Sequence, residues 1–93
     1  MEKFELNDNV IIKKPQVNDT AFIADGAKVI GDVTMKSESS VWYNTVLRAD
    51  INQIIVGERT NIQDNSVLHL ENDQGVAIGN DVTIGHNAII HGC

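Results

Sequence analysis

Large aliphatic residues recur along this chain at a step of six. They fall into three runs: Ile23, Val29, Met35, Val41 and Leu47; then Val56, Ile62 and Leu68; then Ile78, Ile84 and Ile90. The jump from Leu47 to Val56 is nine residues and the jump from Leu68 to Ile78 is ten, so each holds one step of six and an insertion of three or four residues. The pattern predicts a repeat interrupted by loops near residues 48–55 and 70–77.

A second column of residues stands two positions before each of these aliphatics. Its members are small or β-branched: Ala21, Ala27, Val33, Ser39, Thr45, Ile54, Thr60, Ser66, Val76, Val82 and Ala88. Strand side chains alternate between faces, so both columns point to the same side, inward. This period predicts an all-β fold, a β-helix solenoid in which three short strands make one triangular turn, with Gly, Asn and Asp at the corners. An ordinary β-sandwich would place its turns about 8–12 residues apart.

The 93 residues allow one domain, 1–93. Residues 1–20 do not keep the six-residue count and are expected to cap the first rung with a strand and a turn, and residues 21–93 form the rungs. The last inward residue, Ile90, stands three positions before Cys93. An open last rung exposes unpaired backbone groups, so either the chain is a fragment or another surface covers that end.

Composition narrows the classes of function. The net charge of −6 and the absence of clustered Lys and Arg argue against a nucleic-acid partner. No apolar stretch approaches the ~20 residues that span a bilayer, and the charged start of the chain argues against a signal peptide, so we expect a cytoplasmic protein without a membrane partner. Cys93, the single cysteine, forms no internal disulfide and is expected to be a small buried residue rather than a ligand.

The candidate chemistry follows from the repeat. Counting faces from Ile23 places Leu47, Leu68 and Ile90 three faces apart, in one column. The residues directly after them are Arg48, His69 and His91. These three side chains should therefore project outward from successive turns of one edge, about 4.8 Å apart per rung.

The third histidine, His86, stands two positions after Ile84 and belongs to a different corner of the triangle. It should not reach the other two within one chain. A threefold assembly would bring His86 of one chain to His69 and His91 of the next. Three neutral imidazoles with an open position for water are the ligand set of a catalytic zinc site, although a single histidine is more often a surface residue.

Three segments carry a resemblance to a known family. They are VWYNTVLRAD at 41–50, GERTNIQDNSVLH at 57–69 and IGHNAIIHGC at 84–93. From about Phe22 to the end, the chain resembles gamma-class carbonic anhydrases and their bacterial relatives. The resemblance implies a left-handed parallel β-helix and a homotrimer. It also implies a metal at each subunit interface, held by His69 and His91 of one chain and His86 of its neighbour.

The same resemblance implies roles for five further residues. Gln63 matches the glutamine that orients the metal-bound water or hydroxide, and Asn61 matches an asparagine of the same pocket. Arg48 and Asp50 match an ion-pair network at the interface, to which Asp64 also belongs; a purely structural salt bridge is the alternative. The implied activity is reversible hydration of carbon dioxide to bicarbonate by a metal-bound hydroxide. Imidazole ligands suit Zn²⁺, and also Fe²⁺ or Co²⁺.

Departures from the family pattern keep other functions open. Ile51 follows Asp50 where studied members carry an acidic proton shuttle, which leaves Glu71 and Asp73 as substitutes. The family's later rungs, C-terminal helix and pocket tyrosine have no counterpart in this sequence. One alternative is a hexapeptide-repeat acyltransferase that uses one histidine as a general base. Another is a non-catalytic, truncated trimeric β-helix module.

Overall fold

The computed structural model describes residues 3–6 and 10–92, and every regular element in this part is a β-strand. The strands are β1 (Lys3–Leu6), β2 (Val10–Lys13), β3 (Gln16–Val17), β4 (Phe22–Ile23), β5 (Lys28–Met35), β6 (Ser40–Val41), β7 (Val46–Val56), β8 (Asn61–Ile62), β9 (Val67–His69), β10 (Val76–Ile78), β11 (Thr83–Ile84) and β12 (Ile89–His91). The prediction for Cys93 lies outside the described residues.

Strands β3 to β12 wind into a triangular solenoid of about four turns, and all their pairings are parallel. Face A holds β3, the ends of β5 and β7, and β10. Face B holds β4, β6, β8 and β11, and face C holds the starts of β5 and β7, then β9 and β12. The predicted all-β fold is confirmed, and the chain has the left-handed parallel β-helix of hexapeptide-repeat proteins.

The six-residue count aligns the core in three columns, one for each face. Face A stacks Val17, Met35, Val56 and Ile78; face B stacks Ile23, Val41, Ile62 and Ile84; face C stacks Val29, Leu47, Leu68 and Ile90. The side chains of the two middle turns are almost completely buried, whereas Val17 and Ile23 in the first turn are 38% and 39% exposed. The core is therefore best packed in the two middle turns, which carry the candidate site residues of β7 to β9.

The solenoid begins earlier than the sequence suggests. Val17 pairs with Met35, and Asn18 N donates to Met35 O at 2.9 Å, so β3 already forms part of the first turn. The cap predicted for residues 1–20 corresponds to the antiparallel hairpin of β1 and β2 before it. Rung pairing thus starts at Gln16, ahead of the predicted boundary at residue 21.

The two insertions stack at one corner, between faces C and A. Residues 48–55, where a loop is predicted, lie within the continuous strand β7. The register with β5 moves from Gly31↔Ala49 to Val33↔Ile54, so one residue of β5 opposes four of β7 and the three extra residues form a bulge. The second insertion is a turn closed by the bridge between Glu71 and Gln74. Asn52 Nδ2 donates to Asn72 O at 3.2 Å and ties the second insertion to the first.

Buried hydroxyl groups link successive turns near the corners. Ser39, Thr45, Thr60 and Ser66, all from the small inward column, are at most 1% exposed. Thr45, Thr60 and Ser66 donate to carbonyl groups of the next turn, at 2.7, 2.5 and 3.0 Å. Among the described residues that are not exposed, every buried side-chain nitrogen or oxygen has a hydrogen-bond partner. The small residues at these positions therefore fit the corner and also satisfy its backbone polar groups.

Candidate metal centre

His69 and His91 lie side by side on the outer surface of face C. They are register partners in β9 and β12, directly after the buried pair Leu68 and Ile90. Their ring centroids are 5.6 Å apart, with an angle of 19° between the planes. Alternation along the two strands turns both imidazoles outward, and His91 is the more exposed, with 50% of its side chain accessible against 26% for His69.

Charged side chains surround this pair. Asp50 Oδ1 lies 3.3 Å from His69 Nε2, and Arg48 Nη2 lies 3.4 Å from His69 Nδ1. Arg48 Nη1 and Asp50 Oδ2 are 3.6 Å apart, so the two residues form an ion pair that contacts both nitrogens of the His69 imidazole. Glu71 Oε1, from the second insertion, lies 3.4 Å from His91 Nε2. Each ring thus has a carboxylate neighbour, and because both nitrogens of His69 have partners here, a metal at His69 would take the place of one of these contacts.

His86 lies elsewhere, in the exposed turn between β11 and β12. It lines a shallow groove of about 560 Å³ on face B, together with Ser40, Trp42, Tyr43, Asn61, Gln63 and Asp64. The predicted site residues therefore form two groups: Arg48, Asp50, His69 and His91 on face C, and Asn61, Gln63 and His86 along face B. Within the described part of one chain, no three His, Cys, Asp or Glu side chains come together as a metal-binding group.

The polar residues of the groove form a hydrogen-bonded chain. Gln63 Nε2 donates to Asn61 Oδ1 at 3.1 Å, and Asn61 Nδ2 donates to Thr83 Oγ1 at 3.0 Å. Sequence reasoning identified Gln63 and Asn61 but missed Thr83. The six-residue count could have identified Thr83, because it stands three faces, or one full turn, after Asn61. The two residues are therefore register partners.

Apolar surface adjoins both groups. On face C, Ile89 is 79% exposed and its register partner Val67 is 37% exposed, in the column beside the histidines. On face B, Trp42 packs its ring 5.0 Å from that of Phe22 and 6.0 Å from that of Tyr43. Exposed large apolar side chains beside polar groups are typical of protein–protein interfaces.

The donor chemistry fits a zinc-type metal. His69 and His91 are two imidazoles in register and partly exposed, with their nitrogens next to carboxylates rather than sealed in the core. Imidazole nitrogen is a preferred ligand of Zn²⁺ and also suits Fe²⁺ and Co²⁺. A third imidazole, His86, is exposed at another corner of the same prism. One chain therefore offers two adjacent imidazoles and a third, exposed imidazole at a separate corner.

Comparison of the sequence with those of known proteins identifies relatives of this chain. No family model matches the chain. It is 50% identical over 91 residues to gamma carbonic anhydrase 1, mitochondrial, of Arabidopsis thaliana, an alignment that covers 91% of this chain and 33% of that protein. It is 46% identical over 79 residues to a carbonic anhydrase of Geobacillus kaustophilus, covering 85% of this chain and 43% of the relative.

A solved structure supports the same grouping. The crystal structure of a hexapeptide transferase family protein from Anaplasma phagocytophilum superposes with a TM-score of 0.79 at 50% sequence identity, covering 92% of this chain and 48% of that one. The regular elements of the described residues are all strands, so this part contains no helix that is long and apolar enough to cross a membrane.

The chain spans between a third and a half of the length of these relatives. Over that span the identity is close to one residue in two, and the fold matches that of the Anaplasma phagocytophilum protein. Over the part of these relatives that it covers, the chain is similar to gamma carbonic anhydrases in sequence and to a hexapeptide transferase family protein in sequence and fold.

Proposed function

We propose that this protein hydrates carbon dioxide reversibly at a metal site shared between the subunits of a homotrimer. His69 and His91 of one subunit and His86 of the next are the ligands. The observation that carries the proposal is the stacked, outward-facing pair His69 and His91, together with the exposed His86 in the turn at a separate corner of the prism.

The surfaces of the prism support a threefold arrangement. Face C presents the histidine pair next to the exposed apolar column of Val67 and Ile89. Face B presents His86 in a groove next to Trp42 and Tyr43. Packing face C of one subunit against face B of the next covers both apolar surfaces and brings the three imidazoles together. Burial of Ile89 alone favours association, because a fully buried aliphatic side chain contributes about 1.5–3 kcal/mol.

A zinc ion held by these three neutral imidazoles would act as a Lewis acid and would lower the pKa of a water molecule to near neutral. The remaining roles in the reaction belong to side chains of the protein. Gln63 and Asn61 line the groove beside His86. Gln63 Nε2 donates to Asn61 Oδ1 at 3.1 Å, and the amide held in this way positions a water. Arg48 and Asp50 hold the His69 ring in one orientation, and the Arg48 guanidinium is also suited to attract the bicarbonate anion.

The experiment is metal content per chain measured together with oligomer mass, on protein purified without chelator. We expect a trimer with about one metal per chain, and elemental analysis will distinguish zinc, iron and cobalt. His86→Ala should keep the trimer and lose the metal. Ile89→Glu should lose both, because it places a charge on the apolar surface. Lys36→Ala, an exposed substitution near face A, is the control and should change neither.

Carbon dioxide hydration by stopped flow is then measured on the loaded trimer. A metal-loaded trimer without hydration activity would reject the enzymatic proposal while keeping the site. A stable monomer would reject the shared site, and a metal-free trimer would point to a structural module.

A second candidate function is acyl transfer with one histidine as general base. It is favoured by the 50% identity to a hexapeptide transferase family protein. In that reaction the histidine takes the proton of an acceptor hydroxyl or amine, the acceptor takes the acetyl group from acetyl-coenzyme A, and the coenzyme A thiol leaves. No metal is required, so thiol release by chelator-treated protein in the presence of an acceptor, abolished by a single histidine substitution, would support it against the hydration proposal.

A further inference from the structure

The outer surface of face B repeats one small hydrogen-bonded unit on successive turns. Trp42 Nε1 donates to Ser40 Oγ at 2.9 Å, and one turn later Gln63 Nε2 donates to Asn61 Oδ1 at 3.1 Å. In both cases the donor stands two residues after the acceptor, on the same side of the strand. Ser40 and Asn61 are register partners, so the units lie one above the other.

The two units differ in what their acceptor needs. The hydroxyl of Ser40 rotates freely to suit its donor. The amide of Asn61 has an acceptor end and a donor end, and it presents Oδ1 to Gln63 only if Nδ2 points the other way. Thr83, its register partner on β11, meets that donor end at 3.0 Å. Thr83 thus completes the second unit from the next turn of the solenoid.

Gln63 gains order from this chain of bonds. A free Gln side chain has about 1.5–2 kcal/mol of rotamer entropy to lose on ordering, so an unanchored Gln63 would sample several positions in the groove. The anchored amide uses one Nε2 hydrogen on Asn61 and keeps its Oε1 and second hydrogen available. Those atoms are the ones that could contact a water or substrate beside His86.

We propose that Thr83 is a positioning residue, whose hydroxyl holds the Asn61 amide so that Asn61 in turn holds Gln63 in its working orientation. This inference rests on the proposed function, in which Gln63 positions the reacting water. Thr83 itself touches neither substrate nor metal. Its hydroxyl is the required group, and its methyl group is dispensable.

The first test needs neither metal nor turnover. Side-chain NH₂ signals of Asn61 and Gln63 are followed by ¹⁵N NMR in the metal-free full chain, with Asn61→Asp and Gln63→Glu used to assign them. Thr83→Val keeps the size and the strand preference but removes the acceptor, so both NH₂ groups should shift and exchange with solvent several-fold faster. Thr83→Ser keeps the hydroxyl and should match the unsubstituted chain. Unchanged NH₂ signals in Thr83→Val would overturn the inference.

The second test uses the metal-loaded trimer. Thr83→Val should lower kcat for carbon dioxide hydration about 3- to 10-fold, the worth of one hydrogen bond, with KM, metal content and trimer mass unchanged. Thr83→Ser should restore kcat. If Thr83→Val lost metal or trimer mass in proportion to activity, the residue would be structural and the inference wrong. If the unsubstituted protein showed no hydration, the proposed function would fail, and the NMR result would still decide whether Thr83 orders Gln63.

Discussion

The imidazole of His91 stacks over that of His69 at 5.6 Å, because β12 repeats the position of β9 one turn later. Both residues follow a buried aliphatic, Ile90 and Leu68, which are register partners in the same column of the core. The placement of the two rings is therefore set by core packing and strand alternation rather than by contacts between the rings. A shift of either strand by one residue would turn its histidine inward.

Substituting either histidine should abolish tight metal binding. We expect His69→Ala and His91→Ala to weaken Co²⁺ or Zn²⁺ binding by more than 100-fold, since each removes one of the three proposed imidazole ligands. Glu71→Gln, which alters the neighbour of His91 at 3.4 Å, should cost only about 10–100-fold, as outer-shell partners do. Competition titration with a metal indicator measures all three. Equal affinities for His69→Ala and Glu71→Gln would contradict the ligand assignment.

The six-residue count predicted the columns of the core, and with them the register of Arg48, His69 and His91, because hydrophobic burial decides which residues stack. It could not predict how an insertion is accommodated. The count near 48–55 shows only that three residues are extra, and the structure places them in a bulge of β7 rather than in a loop. Val17 also belongs to the count, six residues before Ile23, but Pro15 breaks the small inward column at the expected position two residues before it.

The candidate site was harder to predict in its polar details. Thr83 binds Asn61 from 22 residues away, a contact that exists only after the turns have stacked. Glu71 approaches His91 through the fold of the second insertion, whose path the repeat does not determine. The count of faces places Thr83 beside Asn61, but which of their side-chain atoms form a hydrogen bond becomes visible only in three dimensions.

The buried hydroxyl of Thr60 should contribute measurably to stability. Its Oγ1 donates to Gly79 O at 2.5 Å and accepts from Val82 N at 3.1 Å, so it joins two consecutive turns. Thr60→Val keeps the shape but leaves these two backbone groups without their partner, and we expect a loss of about 1–2 kcal/mol in the free energy of unfolding. Thr34→Val, a matched change on the outer side of face A, should stay within about 0.5 kcal/mol.

Urea denaturation at a fixed chain concentration measures both variants, because association couples to apparent stability. Similar losses for Thr60→Val and Thr34→Val would show that the buried hydroxyl is not important.

Two stacked glycines of face A should respond oppositely to the same substitution. A Cβ on Gly57 would lie 2.3 Å from Gly79 O and 2.4 Å from Gly79 C, which are backbone atoms that cannot move aside cheaply. Gly57→Ala should therefore destabilise the solenoid by about 1–3 kcal/mol. A Cβ on Gly79 meets only a Val82 methyl at 3.9 Å, so Gly79→Ala should be neutral or stabilising by up to about 1 kcal/mol. Thermal unfolding of both variants tests this, and a stable Gly57→Ala protein would mean that the two turns are not so closely packed.

The corner formed by Arg59 and Asp81 should make stability depend on pH in the acidic range. Arg59 Nε and Nη2 donate to Asp81 Oδ1 and Oδ2 at 2.6 and 3.0 Å, and this hydrogen bonding lowers the pKa of Asp81 from its ordinary 3.8. The folded state then binds its proton less tightly than the unfolded state does. The stabilisation is therefore complete above about pH 4 and is lost as the pH falls through the lowered folded pKa.

Asp81→Asn removes the charge and keeps a residue that tolerates the left-handed backbone at this position, where φ is 58°. We expect a small decrease in Tm at pH 7, because both side chains are about half exposed. The difference between the two proteins should shrink as the pH falls to 3 and below, because Asp81 takes up its proton more readily in the unfolded chain than in the folded one. It should also shrink in 1 M salt, which screens the pair. Asp19→Asn, which removes a charge from another exposed corner, is the control. A difference in Tm that is the same at pH 3 and pH 7 would show that the ion pair does not stabilise the solenoid.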